Sequence, residues 1–343
     1  ICVSGTHGKT TTSSMLTQIL LDANLDPTAV IGGKLPAIGG NGRVGKTNLM
    51  VCEACEFVDT FLKLSPDISI ILNIDEDHMD YFKTMDNLIL SFNKFSKLTS
   101  KLIIANGDDA NVKKAISNID NEIITFGFSN KNDYYPENIK HIDQIHSHFD
   151  LMHLGELVTD IDIFVPGYHN VINAVAASIA AFAVKATPLQ VKNGLKEFRG
   201  AGRRFEFLGK EKGITIVDDY AHHPTEIKVT LEAAKDMGYN RIFAVHQPFT
   251  YSRTYKLLDD FAQVLSIADT VVLSEIMGSR EKNDYNIYSK DLASKIDGCV
   301  HFNTFEEIAN YVCENAKDGD LVITLGCGDI YKAAKLILQK LKD

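Results

Sequence analysis

The chain has 343 residues, 45% hydrophobic and 23% charged, with a formal net charge of −10. That length suggests two or three domains of about 150 residues each, and the acidity argues against a broad nucleic-acid-binding face. The longest apolar stretch, Ala174–Val184, is too short to span a bilayer. Cys52 and Cys55 have no second pair at zinc-finger spacing, and with no signal peptide the cysteine usage points to a reducing cytoplasm.

The chain opens inside a strand-like run, with no Met, which reads as a fragment. Ile1-Cys2-Val3 leads into Ser4-Gly-Thr-His-Gly-Lys-Thr-Thr-Thr12 and then a helical pattern through Met15, Ile19 and Leu20. Strand, glycine loop, Lys-Thr and helix form a phosphate cradle. Gly5 and Gly8 free backbone N–H groups to face a phosphate, Lys9 reaches the β/γ-phosphates, and Thr10 supplies a hydroxyl to Mg²⁺. Val3 stands where the first glycine of the full Walker pattern belongs.

Strands are predicted at Cys2–Ser4, Leu49–Cys52, Ile68–Leu72, Leu102–Ala105 and Ile123–Phe126, with helices at Thr10–Leu21, Asn87–Leu98, Ala110–Ser117 and Val171–Val184. Asn130–Asp150 is polar and reads as irregular connections around an edge strand, and Leu151–Phe164 as a hairpin. The alternation restarts with strands at Ile214–Val217, Arg241–Val245, Thr270–Leu273 and Leu321–Thr324, and helices at Pro224–Met237, Thr254–Ile267, Phe305–Asn315 and Ile330–Leu341. This predicts α/β layers: a P-loop-type central ATPase domain over residues 1–199 with a mostly parallel sheet, then a smaller Rossmann-like α/β domain over residues 200–343.

Ligands sit at the carboxyl ends of parallel strands. Glu53 and the run Asp75-Glu76-Asp77-His78-Met79-Asp80 follow such strands, so they are candidate metal ligands facing Lys9. Asn170 and Asn173 open the Ala-rich helix; on the residues alone, Asn170 reads as a helix cap, with nucleobase recognition the other reading. Asp218-Asp219-Tyr220-Ala221-His222-His223-Pro224 and Gln247-Pro248-Phe249-Thr250-Tyr251-Ser252-Arg253 each follow a strand and open a helix. Arg203, Arg204 and Arg253 are candidates for binding phosphoryl oxygens.

Taken together, Gly5–Thr12, Glu53–Leu62, Asn73–Phe82, His169–Ala176, Gly202–Glu206, Asp218–Ile227 and Gln247–Thr254 resemble the Mur ligase family, most closely its alanine-adding branch. The resemblance implies ATP-dependent ligation of L-alanine to the muramoyl carboxylate of UDP-N-acetylmuramate through an acyl phosphate, with Mg²⁺, in peptidoglycan precursor synthesis. Gly5, Thr6, His7, Gly8, Lys9, Thr10 and Thr11 would hold the ATP phosphates. Thr10 and Glu53 would hold one Mg²⁺ and His78 a second. Asn170 and Asn173 would lie at the adenine, displacing the cap reading, and Arg204, Asp219 and Tyr220 would contact ATP. His222, His223 and Arg253 would serve the alanine or the reacting phosphoryl group. The catalytic set would be Lys9, His78, Arg204, His222 and Arg253.

Three departures accompany the resemblance. The family's UDP-sugar domain is not found in these residues, so residues 1–343 alone are expected to bind Mg-ATP without efficient ligation. Phe249 replaces a usual His, with His246 three residues earlier. Lys94 lies in the region of a carbamylated lysine of relatives that add later residues, without a secure register. The rival readings are a recycling ligase that joins a whole peptide to the same sugar nucleotide, and a nucleotide-gated binding protein without ligation.

Overall fold

Runs rich in Ile, Val and Leu become strands buried on both faces, the pattern of parallel layers sandwiched by helices. The computed structural model describes residues 1–142 and 145–342, with the backbone alone at Asp80. Its contacts divide the chain into two units, Ile1–Gly202 and Arg203–Asp343.

The first unit runs β1 (Cys2–Ser4), α1 (Lys9–Asp22), β2 (Thr28–Leu35), β3 (Gly40–Arg43), β4 (Met50–Glu53), β5 (Ile68–Ile71), α2 (Met79–Phe82), α3 (Met85–Leu98), β6 (Leu102–Asn106), α4 (Ala110–Ile116), β7 (Glu122–Phe126), β8 (Tyr134–His141), β9 (Ser147–His153), β10 (Glu156–Ile163), α5 (Tyr168–Ala183) and α6 (Pro188–Glu197). The strands form one sheet in the order β10-β9-β8-β7-β6-β5-β1-β4-β2-β3. Pairing is parallel from β2 through β8 and antiparallel for β2–β3 and for the β8-β9-β10 meander. Helix α1 is buried along most of its length, with Met15, Leu16, Ile19 and Leu20 in one core that also takes in α5 and α6. The opposite face is covered by α3, α4 and a 3₁₀ segment at Phe57–Lys63.

The second unit runs β11 (Glu206–Glu211), β12 (Ile214–Asp219), α7 (Pro224–Asp236), β13 (Ile242–His246), α8 (Tyr251–Lys256), α9 (Leu258–Leu265), β14 (Thr270–Ser274), α10 (Ser289–Ala293), β15 (Val300–Phe302), α11 (Phe305–Asn315), β16 (Leu321–Leu325) and α12 (Tyr331–Lys342). Its sheet order is β11-β12-β16-β13-β14-β15, parallel except for β11. One core takes in α7, α9 and α10, the other α11 and α12, so helices cover both faces.

Four expectations need correction. The polar stretch 130–150 is not irregular: it carries β8 and most of β9, with residues 143 and 144 outside the described residues. Its strands were hidden because their outer face is polar, while Tyr135, Phe149 and Leu151 are buried. β2 and β3 escaped notice because glycines interrupt their apolar pattern. α6 escaped notice too, although Thr187 and Gln190 form a capping box around Pro188, the first helical residue. The helix predicted at Thr254–Ile267 is two helices, α8 and α9, because Leu257 leaves helical dihedrals (φ −110°, ψ 25°).

The aromatic packing beneath the second face sets up a stability test. Phe92 is fully buried, edge-on to Phe61 at 5.1 Å, and Phe61 stacks on Phe95 at 4.6 Å. Phe92→Ala leaves a cavity there and is expected to cost about 3–5 kcal/mol in urea unfolding; a loss below about 1 kcal/mol would show that the cluster does not hold this face.

Candidate functional site

The loop after β1 is shaped by what cannot fit beside it. Gly5 (φ 134°) and Gly8 (φ 86°) both take positive φ, and a Cβ on Gly8 would come within 2.7 Å of Asn173 Oδ1. The loop is pinned from β5's exit. Thr6 N–H donates to Asn73 O at 3.0 Å, His7 N–H to Asn73 Oδ1 at 2.7 Å, and Asn73 Nδ2 to His7 O at 3.0 Å. Asp75 N–H donates to Thr6 Oγ1 at 2.9 Å, and His7 Nε2 lies 3.2 Å from Asp75 Oδ2. Asn73 was not among the predicted site residues, although it stands in the strand-end run where such residues are sought.

Lys9 folds back over its own loop. Its Nζ donates to Gly5 O at 2.5 Å, Thr6 O at 3.0 Å and both oxygens of Glu56, at 3.2 and 3.0 Å. Burial works against its charge, but the nearby carboxylates, Glu56 foremost, outweigh burial and raise the Lys9 pKa. Glu56, 1% exposed, is the partner that sequence reasoning passed over, three residues beyond Glu53. Lys9 therefore carries part of the fold, and replacing it by Ala alone would strand a buried carboxylate.

Glu53, the last residue of β4, gathers oxygen donors. Thr10 Oγ1 reaches Glu53 Oε2 at 3.2 Å and Ser13 Oγ reaches Oε1 at 3.3 Å, with the Gly32 N–H also donating to Oε1. A carboxylate and two hydroxyls form the hard-oxygen set that suits Mg²⁺. His78 sits at the left-handed start of α2 (φ 54°), its ring 4.6 Å from Phe57 and its Nε2 3.6 Å from Asp77. Thr11 is buried in the first turn of α1.

Asn170 and Asn173 lie in the opening turns of α5, nearly buried, with Asn173 against Gly8. The cap reading of Asn170 is corrected. The N-cap is Gly167, and Asn170 Nδ2 donates to Pro166 O at 2.7 Å instead of its oxygen accepting from the first turn. Asn170 Oδ1 accepts from Asn173 Nδ2 at 3.0 Å.

In the second unit, the carboxyl ends of β12, β13 and β16 carry the remaining candidates. Arg203 locks two of them: Nε donates to Asp218 Oδ2 at 2.7 Å, Nη2 to Gly326 O at 2.6 Å and Nη1 to Gly328 O at 2.9 Å. Its guanidinium lies 5.0 Å over the Tyr220 ring, and that of Arg204 lies 5.2 Å over the same ring. Asp219 accepts from Phe205 N–H and Ala221 N–H, each at 2.7 Å. His222 Nδ1 lies 3.2 Å from Glu226 Oε2, and His223 caps α7. Arg253 lies in α8, where Ser252 is held by Glu281 at 2.5 Å through its hydroxyl and 2.8 Å through its N–H. Phe249 approaches His222, ring centroids 6.5 Å apart, while His246 is fully buried, Nδ1 3.0 Å from Leu325 O, its pKa pushed down to about 4 by burial. Glu281 and the Gln247–Asp329 pair (3.1 Å) are further anchors to which the sequence analysis assigns no role.

Burial pushes the Asp219 carboxyl up to about 6, against the pull of Arg204 and the two N–H donors. A carboxyl whose folded pKa is raised contributes stability that is complete below the ordinary carboxylate range, near pH 4, and lost as the pH rises through about 6; the total is about 3 kcal/mol. Carboxyl ¹³C NMR, with Asp219→Asn to assign the signal, is expected to give a midpoint near pH 6. A midpoint at or below the ordinary value of about 3.9 would refute this account of the site's electrostatics.

Comparison with known proteins follows the same division. Residues 3–181 match the Mur ligase middle domain and residues 203–328 the Mur ligase, glutamate ligase domain. The chain is 43% identical over 345 residues to a UDP-N-acetylmuramate–L-alanine ligase of Clostridium botulinum, covering 99% of the chain and 75% of that protein. Among solved structures, it is similar to the UDP-N-acetylmuramate-alanine ligase of Thermotoga maritima, with TM-score 0.83 and 26% identity over 100% of this chain and 75% of that one. A murein peptide ligase from Psychrobacter arcticus gives TM-score 0.72 and 25% identity, covering 100% and 77%. With a phosphate loop, an oxygen-donor cluster beside it and both domains matched along the chain, this protein belongs to the Mur ligase family of ATP-dependent, amide-bond-forming enzymes.

Proposed function

We propose that the protein joins L-alanine to the muramoyl carboxylate of UDP-N-acetylmuramate, with ATP as the phosphoryl donor. A carboxylate is a poor electrophile. Transfer of the γ-phosphoryl group to its oxygen gives an acyl phosphate and releases ADP. Attack by the alanine amine then forms the amide, expels phosphate and releases a proton. The observation that carries this reading is the loop itself: two positive-φ glycines, Lys9 over the loop carbonyls, and Thr10 beside Glu53.

In this reading Gly5, Thr6, His7, Gly8, Lys9, Thr10 and Thr11 hold the phosphates, and Asn170 with Asn173 takes the adenine. Thr10 and Glu53 hold Mg²⁺, with His78 toward a second ion. Mg²⁺ would neutralise charge on the transferring phosphoryl oxygens. Arg204, Asp219 and Tyr220 serve ATP, and His222, His223 and Arg253 the amine and the reacting phosphoryl group. Among the described residues no helix is long and apolar enough to cross a membrane, and an ATP-consuming reaction belongs, in this reading, to the cytoplasm.

The test is product formation by the protein that carries this chain, given Mg-ATP, UDP-N-acetylmuramate and L-alanine, with a tripeptide as competitor. The alanyl product is expected to dominate; preference for the tripeptide would make this a recycling ligase, and ATP turnover indifferent to either acceptor would contradict ligation. Lys9→Met combined with Glu56→Gln removes both charges of the buried pair and so keeps the fold. It is expected to lower turnover by about 10²-fold or more, with a cooperative melt in circular dichroism.

A further inference from the structure

The outer face of the antiparallel meander carries a cluster that the phosphate-loop chemistry does not use. Phe149, Leu151, Ile161 and Ile163 point into the core, so the alternate positions on β9 and β10 face away from it. There Asp162 pairs in register with His148, and Asp160 with Asp150. Asp162 Oδ1 lies 3.0 Å from His148 Nδ1 and 2.8 Å from His146 Nε2. The donor atoms of His148, Asp160 and Asp162 all lie within 4.8 Å of one another, and each of these residues is partly buried.

We propose that His148, Asp160 and Asp162 form a binding site for a divalent transition metal such as Zn²⁺, separate from the nucleotide site. An imidazole nitrogen and carboxylate oxygens are borderline ligands that suit Zn²⁺. Metal–ligand bonds of about 2.0–2.1 Å place tetrahedral ligand atoms about 3.3 Å apart, so the 3.0 Å contact of His148 with Asp162 needs to open by only a few tenths of an ångström. His146 acts as a positioning residue: its Nε2 holds the Asp162 carboxylate, and its ring stacks on Phe164 at 4.4 Å.

The charge balance supports a cation here. On this face Glu137 lies opposite Asp150 and Lys140 opposite His148, and Lys192 of α6 reaches Asp160, so four carboxylates (Glu137, Asp150, Asp160 and Asp162) stand against two lysines. Lys192 Nζ contacts both oxygens of Asp160, at 2.8 and 2.7 Å, and is the metal's direct competitor. Metal binding therefore displaces Lys192 from Asp160.

The experiment is a Zn²⁺ titration of the whole chain at pH 7 against a chromophoric chelator, with saturating Mg²⁺ to occupy the oxygen site at Glu53. One Zn²⁺ per chain is expected. His148→Ala and Asp162→Asn are each expected to weaken binding at least about tenfold, while Lys192→Met tightens it. Circular dichroism is expected to show all three folded. Wild-type Zn²⁺ affinity in folded His148→Ala, or no binding by the wild type below millimolar Zn²⁺, would reduce the cluster to ion pairs and overturn the site. Because Glu53 is not among the ligands, Glu53→Gln is expected to leave Zn²⁺ affinity unchanged, and a loss there would assign the ion to the Mg²⁺ cluster instead.

Discussion

A buried carboxylate must have a counter-charge, and the arrangement of the loop after β1 follows from how the partly buried Lys9 meets that need for Glu56. Removing two charges from water costs several kcal/mol per ion, and only close geometry with further hydrogen bonds recovers it. Lys9 has both: two contacts to Glu56 and two to loop carbonyls. The pair joins the loop after β1 to the segment after β4, strands whose parallel pairing sets Glu53 opposite Val3 and within reach of Thr10. A phosphate offers Lys9 an alternative partner, so the loop holds its shape through a contact that nucleotide binding can replace.

The second unit solves a related problem with a guanidinium. Arg203 gathers the ends of β12 and β16 by one ion pair and two carbonyl contacts. Such a planar fork satisfies several acceptors at once, which a lysine would not. With Asp218 neutralised there, Asp219 is the carboxyl left to be held by backbone N–H groups, and its raised pKa reflects burial without an ion pair of its own.

The candidate site motifs were legible because they follow strands at their carboxyl ends with the residue types that a nucleotide site would need. The loop and Glu53 beside Thr10 are of this kind, while Asn173, in the opening turns of α5, meets the loop at Gly8. What was not legible is the support. Glu56 and Asn73 act through contacts formed only when separate strands are brought side by side. His246 gave no sign of full burial, because a lone histidine after an apolar run fits a turn equally well. β8 and most of β9 were missed for a different reason: half of their residues face outward and are polar, which masks a period of two in a stretch rich in Tyr, His and Asp.

On nucleotide binding, Lys9 is expected to exchange its loop carbonyls and Glu56 for phosphate oxygens. The direct measurement is a crystal structure of the protein with Mg²⁺ and a non-hydrolysable ATP analogue. Lys9 Nζ is expected within hydrogen-bonding distance of the phosphates, Mg²⁺ on Thr10 and Glu53, and the base beside Asn170 and Asn173. A nucleotide bound away from the loop, with Lys9 still on Gly5 O and Glu56, would contradict it.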